Sequence, residues 1–170
     1  DRRPDYVLGQ LGDWLDPTAP PDDPTQAMTE KELVATAFFA RSCAQAEQIA
    51  QILGKSEDVV RFGDLRKHVT SGFLGRFTNL DGTMTSDTQC AYALAIAFGL
   101  LDGEPVRRVK AGNRLAKLVR ESGGKVSTGF AGTPFVLPAL TMTGHNEEAY
   151  GLLLSEECPS WLYQVKMGAT

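Results

Sequence analysis

Ala91-Tyr92-Ala93-Leu94-Ala95-Ile96-Ala97-Phe98 is the stretch on which the fold turns. Its apolarity is nearly unbroken, and a helix that is apolar on every side must be covered on every side. Asp87 is placed to open this helix. The helix that follows, entered through Glu104-Pro105, has the opposite character. Val106, Val109, Leu115, Ala116, Leu118 and Val119 are assigned to one side, and Arg107, Arg108, Lys110, Arg114, Lys117 and Arg120 to the other. That is the pattern of a helix half in water, stopped by Gly123-Gly124. The pair reads as an antiparallel hairpin with an inner and an outer member.

Further hairpins lie on either side. Thr29 and Glu32 have the spacing of a capping box, and the apolar positions Leu33, Phe38, Phe39, Ile49, Ile52 and Leu53 lead to Gly54. One long helix over about 30–53 follows from that pattern. Ser56 can cap a second, with Val59, Val60, Phe62, Leu65 and Val69 at helical spacing, weakened at Gly72 and Gly75 and reaching about residue 77. Thr133-Pro134 begins a short helix to about residue 143, and Asn146 caps one through Leu154. Ahead of all these, Pro17, Pro20, Pro21 and Pro24 make residues 1–28 a loop. The expectation is an all-α chain of six helices in three hairpins, stacked with one helix of each in an inner ring and one in an outer ring. Three hairpins are half of a six-hairpin toroid. A tetratricopeptide or armadillo repeat would need a recurring signature at about 34 or 40 residues, and none is present.

The chain has 170 residues, 42% of them hydrophobic, which suffices for one sizeable core. With 17 basic and 21 acidic residues its net charge is −4, which gives no large cationic surface to attract nucleic acid or an anionic membrane. Cys43, Cys90 and Cys158 are far apart, neither a disulfide framework nor a zinc knuckle, and two lie in apolar helical runs as buried thiols. No apolar run approaches a membrane span, and Asp1-Arg2-Arg3-Pro4 is no signal peptide, which leaves the compartment open. No metal site and no cofactor is expected.

The most informative local feature is Gly12-Asp13-Trp14 in the leading loop. A pyranose packs its apolar face on an aromatic ring while a carboxylate accepts its hydroxyls, although a turn aspartate beside a core tryptophan would look the same. Gly129 and Gly132, in Ser127-Thr128-Gly129-Phe130-Ala131-Gly132-Thr133-Pro134, superficially resemble a phosphate cradle. No strand precedes them and no lysine follows, so a tight turn into a helix is the better reading. Gln89 is an amide on an otherwise apolar helix and needs a partner or a polar pocket. Trp161 and Tyr163 stand together in Pro159-Ser160-Trp161-Leu162-Tyr163. His145 reads as a capping or core group, Asp81 as a loop acid, and Glu147 and Glu148 as first-turn acids that suit a helix dipole.

Taken in order, five segments resemble the catalytic domain of the α-L-rhamnosidases among the glycoside hydrolases. They are Gly12-Asp13-Trp14-Leu15; Glu32-Leu33-Val34-Ala35-Thr36-Ala37-Phe38-Phe39; Thr88-Gln89 with Ala91-Tyr92-Ala93-Leu94; Ser127-Thr128-Gly129-Phe130 with Gly132-Thr133-Pro134; and Pro159-Ser160-Trp161-Leu162-Tyr163 running to Gly168-Ala169-Thr170. They cover nearly the whole chain. The resemblance implies an (α/α)6 toroid, in agreement with the hairpin pattern, and removal of terminal α-L-rhamnose with inversion. Inversion takes a carboxylic acid and an opposed carboxylate about 6.5–9.5 Å apart.

In such enzymes the acid lies in an Asp-Cys-Pro-Gln-Arg motif ahead of Gly-Asp-Trp, and the base in Thr-Ile-Trp-Glu-Arg-Trp beyond Gly-Ala-Thr. Neither motif is in this sequence. Residues 1–170 are therefore expected to be the middle of the domain, cut at both ends, with no catalytic residue and no activity alone. The resemblance gives Asp13 and Trp14 a place in the rhamnose pocket, with Gln89, Trp161 and Tyr163 as further candidate substrate-binding positions. The implied partners are a carbohydrate substrate and the remainder of the same catalytic domain. The competing readings are a non-catalytic helical scaffold that binds a protein or glycan, and another (α/α)6 glycosidase.

Overall fold

Helix α3 (Gln89–Ala97) occupies the position its composition demands, with every residue from Gln89 to Ile96 buried. The computed structural model describes residues 10–169; residues 1–9, including Asp1-Arg2-Arg3-Pro4, and Thr170 lie outside the described residues. Helices α1 (Lys31–Ile52) and α5 (Thr133–Met142) pack against α3, and α4 (Pro105–Glu121) is its hairpin partner. The other two hairpins join α1 to α2 (Ser56–Phe77) and α5 to α6 (Asn146–Leu153), and α4 also touches α6. Two layers result, α1, α3 and α5 inside and α2, α4 and α6 outside. A short α7 (Trp161–Lys166) follows. All seven elements among the described residues are helices, and the one β feature is an isolated bridge between Thr78 and Met84.

The inner helices begin at a common rim. Thr29 and Thr88, just ahead of α1 and α3, join their hydroxyls at 2.7 Å in a buried contact. Gly132, just ahead of α5, lies so near the start of α3 that a Cβ on it would be 2.9 Å from the Cβ of Cys90. The core between the layers takes Leu33 and Ala37 from α1, Phe73 and Phe77 from α2, Tyr92, Leu94 and Ile96 from α3, Leu115 from α4 and Leu140 from α5. Each of the larger side chains contributes about 1.5–3 kcal/mol by leaving water. Cys43 and Cys90 are buried free thiols, and Cys158 is exposed.

Gly54 ends α1 as expected: at φ +66 it lets its own N–H reach the Gln51 carbonyl at 3.2 Å while the Lys55 N–H reaches that of Ala50 at 2.8 Å. The same pair of bonds closes α3, α4 and α5. Helix starts depart further from expectation. Thr29 makes no capping box; Glu30 is the N-cap without a side-chain bond, because the Thr29 hydroxyl is committed to Thr88. Thr88, not Asp87, opens α3, accepting the Ala91 N–H at 3.2 Å. Asp87 instead accepts from the Arg114 guanidinium and from the hydroxyl of Tyr92. Lys55 and His145, rather than Ser56 and Asn146, occupy the N-caps of α2 and α6, again without side-chain bonds.

The two faces of α4 are also rotated from the sequence reading. Val106 and Val109 are 68% and 62% exposed, and the buried face is Ala111, Gly112, Leu115, Ala116 and Val119. The reason is register: the covered side runs from Arg107 and Arg108 through Ala111, Gly112, Leu115 and Ala116 to Val119 at 3- and 4-residue spacing, so Val106 and Val109 project from the opposite side. Arg107, Arg108 and Arg114 are half-buried, and Arg114 pairs with Asp87 and Glu121. The seventh helix was not anticipated. Its signal is Ser160, whose hydroxyl accepts the Tyr163 N–H at 3.2 Å.

Two outcomes follow from this packing. A Cβ on Gly112 would stand 2.5 Å from that of Thr143, so Gly112→Ala should lower stability by about 1–3 kcal/mol in a denaturant titration. Hydrogen bonding from Arg114, then from Tyr92, holds the Asp87 carboxyl below its usual value of 3.8. The stability this confers is present above the unfolded value and is lost as pH falls through the folded one. Asp87→Asn should therefore flatten the acid limb of the stability–pH curve below about pH 4.

Candidate functional site at the rim of the inner helices

The loops that lead into α1, α3 and α5 meet at the rim, and the leading loop is fastened to the one before α5. Asp13 is fully buried. Its Oδ2 accepts the Gly129 N–H and its Oδ1 the Gly132 N–H, each at 2.8 Å. The glycine pair therefore does cradle an anion at a helix start, and the anion is the chain's own carboxylate. Burial pushes the Asp13 carboxyl above its ordinary value, while the two backbone donors and the neighbouring Cys90 thiol pull it back. Burial and the adjacent Asp13 charge push the Cys90 thiol well up in turn, which removes it as a nucleophile.

The contact is backbone on backbone. A Cβ on Gly129 would lie 2.2 Å from the Asp13 carbonyl oxygen and 2.3 Å from that of Trp14, so nothing larger than glycine fits. One residue further along, the Phe130 N–H donates to the Trp14 carbonyl at 2.9 Å. Their rings stack above this clasp, with centroids 5.4 Å apart and planes 23° from parallel. Trp14 is half-buried, and Phe130 is 66% exposed. Leu15 is held at φ +62, a region costly for a residue with a side chain, between the Trp14 carbonyl bond and its own N–H bond to Pro24 at 3.0 Å.

Gln89 fastens the first half of the same loop. Its Nε2 donates to Ser122 Oγ at 3.2 Å and to the Lys125 carbonyl at 3.3 Å, and its Oε1 accepts the Ser127 N–H at 3.2 Å. The amide thus finds protein partners, beside a cavity of about 190 Å³ that Asp87, Glu121 and Ser122 also line. Trp161 and Tyr163 stand half-buried in the first turn of α7, whose approach is tied to the rim by the Val126 N–H and the Pro159 carbonyl at 3.0 Å. No ring contact joins either of them to Trp14 among the described residues. His145 lies past the other end of α5, its Nε2 3.1 Å from Asn113 Oδ1. Glu148 pairs with Arg120 on the outer layer, and Asp81 accepts within its own loop from Thr83.

Among the described residues no group of three or more His, Cys, Asp or Glu side chains is placed to hold a metal. No described helix is long and apolar enough to cross a membrane. What the rim offers is an aromatic platform with polar loops around it, suited to the C–H face of a sugar. Phe130 escaped the sequence reading, although a phenylalanine between Gly129 and Gly132 in a loop is a signal of an exposed ring. Gly129→Ala should separate the two loops, shift the Trp14 fluorescence to the red and lower stability by about 3 kcal/mol in a fluorescence-monitored denaturation.

The family model of the bacterial alpha-L-rhamnosidase 6 hairpin glycosidase domain matches residues 2–170. An alpha-L-rhamnosidase of Streptomyces avermitilis is 38% identical over 159 residues, which is 94% of this chain and 14% of that protein. One from Formosa agariphila is 35% identical over 164 residues, 96% of this chain and 17% of that protein. Among solved structures, the native α-L-rhamnosidase of Aspergillus terreus superposes with a TM-score of 0.87 at 36% identity, over 92% of this chain and 18% of its own. The Streptomyces avermitilis enzyme, solved in complex with L-rhamnose, gives 0.80 at 37% identity, over 93% of this chain and 14% of its own. The chain thus spans less than a fifth of the length of the relatives it matches. With three inner helices, three outer partners and a sequence match from end to end, it belongs to the α-L-rhamnosidase six-hairpin glycosidase domain family.

Proposed function

We propose that the protein containing this segment is an α-L-rhamnosidase, and that residues 10–169 supply part of the wall of its sugar pocket. The observation that carries the reading is the Trp14 and Phe130 ring pair held open at the rim where the inner helices begin. A 6-deoxyhexose presents an apolar C–H face and a methyl group, which an indole or phenyl face covers well. The similarity to enzymes named α-L-rhamnosidase, one of them solved with L-rhamnose, supports that sugar over others.

Inversion requires an acid and a base some 6.5–9.5 Å apart, and in this reading other parts of the toroid supply both. The segment contributes binding and not proton transfer. Of the five positions the resemblance picks out, Trp14 is the one proposed to touch the sugar. Gln89, Trp161 and Tyr163 belong to the surrounding wall, and the role of Asp13 is taken up below.

The full-length enzyme should release the phenol of an aryl α-L-rhamnoside, and Trp14→Ala should raise KM about tenfold while kcat changes less. Cleavage of a different glycoside, with the rhamnoside untouched, would overturn the assignment. Residues 1–170 expressed alone should show no turnover on the same substrate.

A further inference from the structure

The clasp at the rim assigns work to two residues that the family resemblance does not separate. Asp13 has no exposed surface, and both of its oxygens are already filled by backbone donors, so no sugar hydroxyl reaches it. Phe130, by contrast, is 66% exposed, and its ring contact among the described residues is the stack on Trp14. The four residues are interleaved. The side chain of Asp13 takes the N–H of Gly129, and the carbonyl of Trp14 takes the N–H of Phe130. Moving either strand of this clasp therefore moves one ring relative to the other.

We propose that Phe130 is a second substrate-contacting ring, forming one apolar shelf with Trp14 for the C–H face of a deoxy sugar, and that Asp13 is a positioning residue that sets this shelf. The proposal deepens the rhamnoside reading and rests on it. Further bonds keep the shelf from drifting. Thr133 Oγ1 donates to the Gly129 carbonyl at 2.7 Å and meets the Thr128 hydroxyl at 2.8 Å, so the loop carrying Phe130 is braced against the first turn of α5. The rings lie 23° from parallel and overlap in an offset stack, so the shelf they form is stepped, with Phe130 as its more exposed tread.

The test is made on the full-length enzyme with an aryl α-L-rhamnoside and, for binding alone, L-rhamnose in a calorimetric titration. Phe130→Ala should raise both KM and the L-rhamnose Kd roughly 3- to 10-fold, with kcat within about twofold of wild type, and Phe130→Tyr should keep wild-type values. Asp13→Asn places an NH2 against a glycine N–H and should reproduce the KM rise. The double variant Asp13→Asn/Phe130→Ala should raise KM by less than the product of the two single effects, because Asp13 acts in part through the ring that Phe130→Ala removes.

If Asp13→Asn yields no folded enzyme, Thr133→Val, which removes the bond to Gly129, takes its place with the same non-additivity required. Shifts that multiply in the double variant would mean that Asp13 acts independently of the ring and would overturn the positioning role. An unchanged KM in Phe130→Ala beside a raised one in Trp14→Ala would sink the shelf but leave the rhamnoside reading standing. Loss of rhamnoside turnover from the wild-type enzyme's repertoire would sink both.

Discussion

The structure depends on one buried carboxylate. Asp13 spans a sequence separation of 119 residues to reach the start of α5 and there satisfies two backbone N–H groups that would otherwise be stranded. Hydrogen bonds to a charged acceptor are worth about 1.5–3 kcal/mol each, more than neutral ones. Against this stands the cost of taking the carboxylate out of water, large enough that its proton is held more tightly than usual. The balance is tolerable because the anion lies at a helix N-terminus, where the peptide dipoles favour negative charge.

That bond is possible only because Gly129 and Gly132 have no side chains. The leading loop comes within van der Waals distance of the loop before α5, and a Cβ at either glycine would collide with a carbonyl or with Cys90 and Thr128. Close approach then stacks the rings of Trp14 and Phe130 without any hydrogen bond between their side chains. The platform is in this sense a by-product of main-chain contact, held by groups that never face the ligand. Loops that carry function on a rigid scaffold are commonly fixed in this way.

The scaffold was legible in the sequence to a large extent. The uniform apolarity of residues 91–98 required a central helix, and the stops at Gly54 and Gly123 set helix ends where the structure has them. Helix starts were less legible, since a Thr or Asp ahead of a helix can cap it or spend its oxygen elsewhere. Thr29 spends its hydroxyl on Thr88, and Asp87 its carboxylate on Arg114. The covered side of α4 was less legible too: small Ala111 and Gly112 with the aliphatic stems of Arg107 and Arg108 form the packed side, while Val106 and Val109 face out, and only the neighbouring helices select between those sides. At the rim, Gly12-Asp13-Trp14 stood out as carboxylate and indole together, but their neighbouring roles in one clasp were not visible, because Gly129 and Phe130 lie more than a hundred residues away.

Sequence alone determined the all-helical class, the hairpin order, the inner position of α3 and the family resemblance, because helical periodicity and glycine stops act within a few residues of themselves. Tertiary structure decided which polar groups meet. Whether a carboxylate faces a sugar or a pair of buried amides depends on distances between segments far apart in the chain, and those distances exist only once the inner helices have assembled. Asp13 and Phe130 received their surroundings from that assembly.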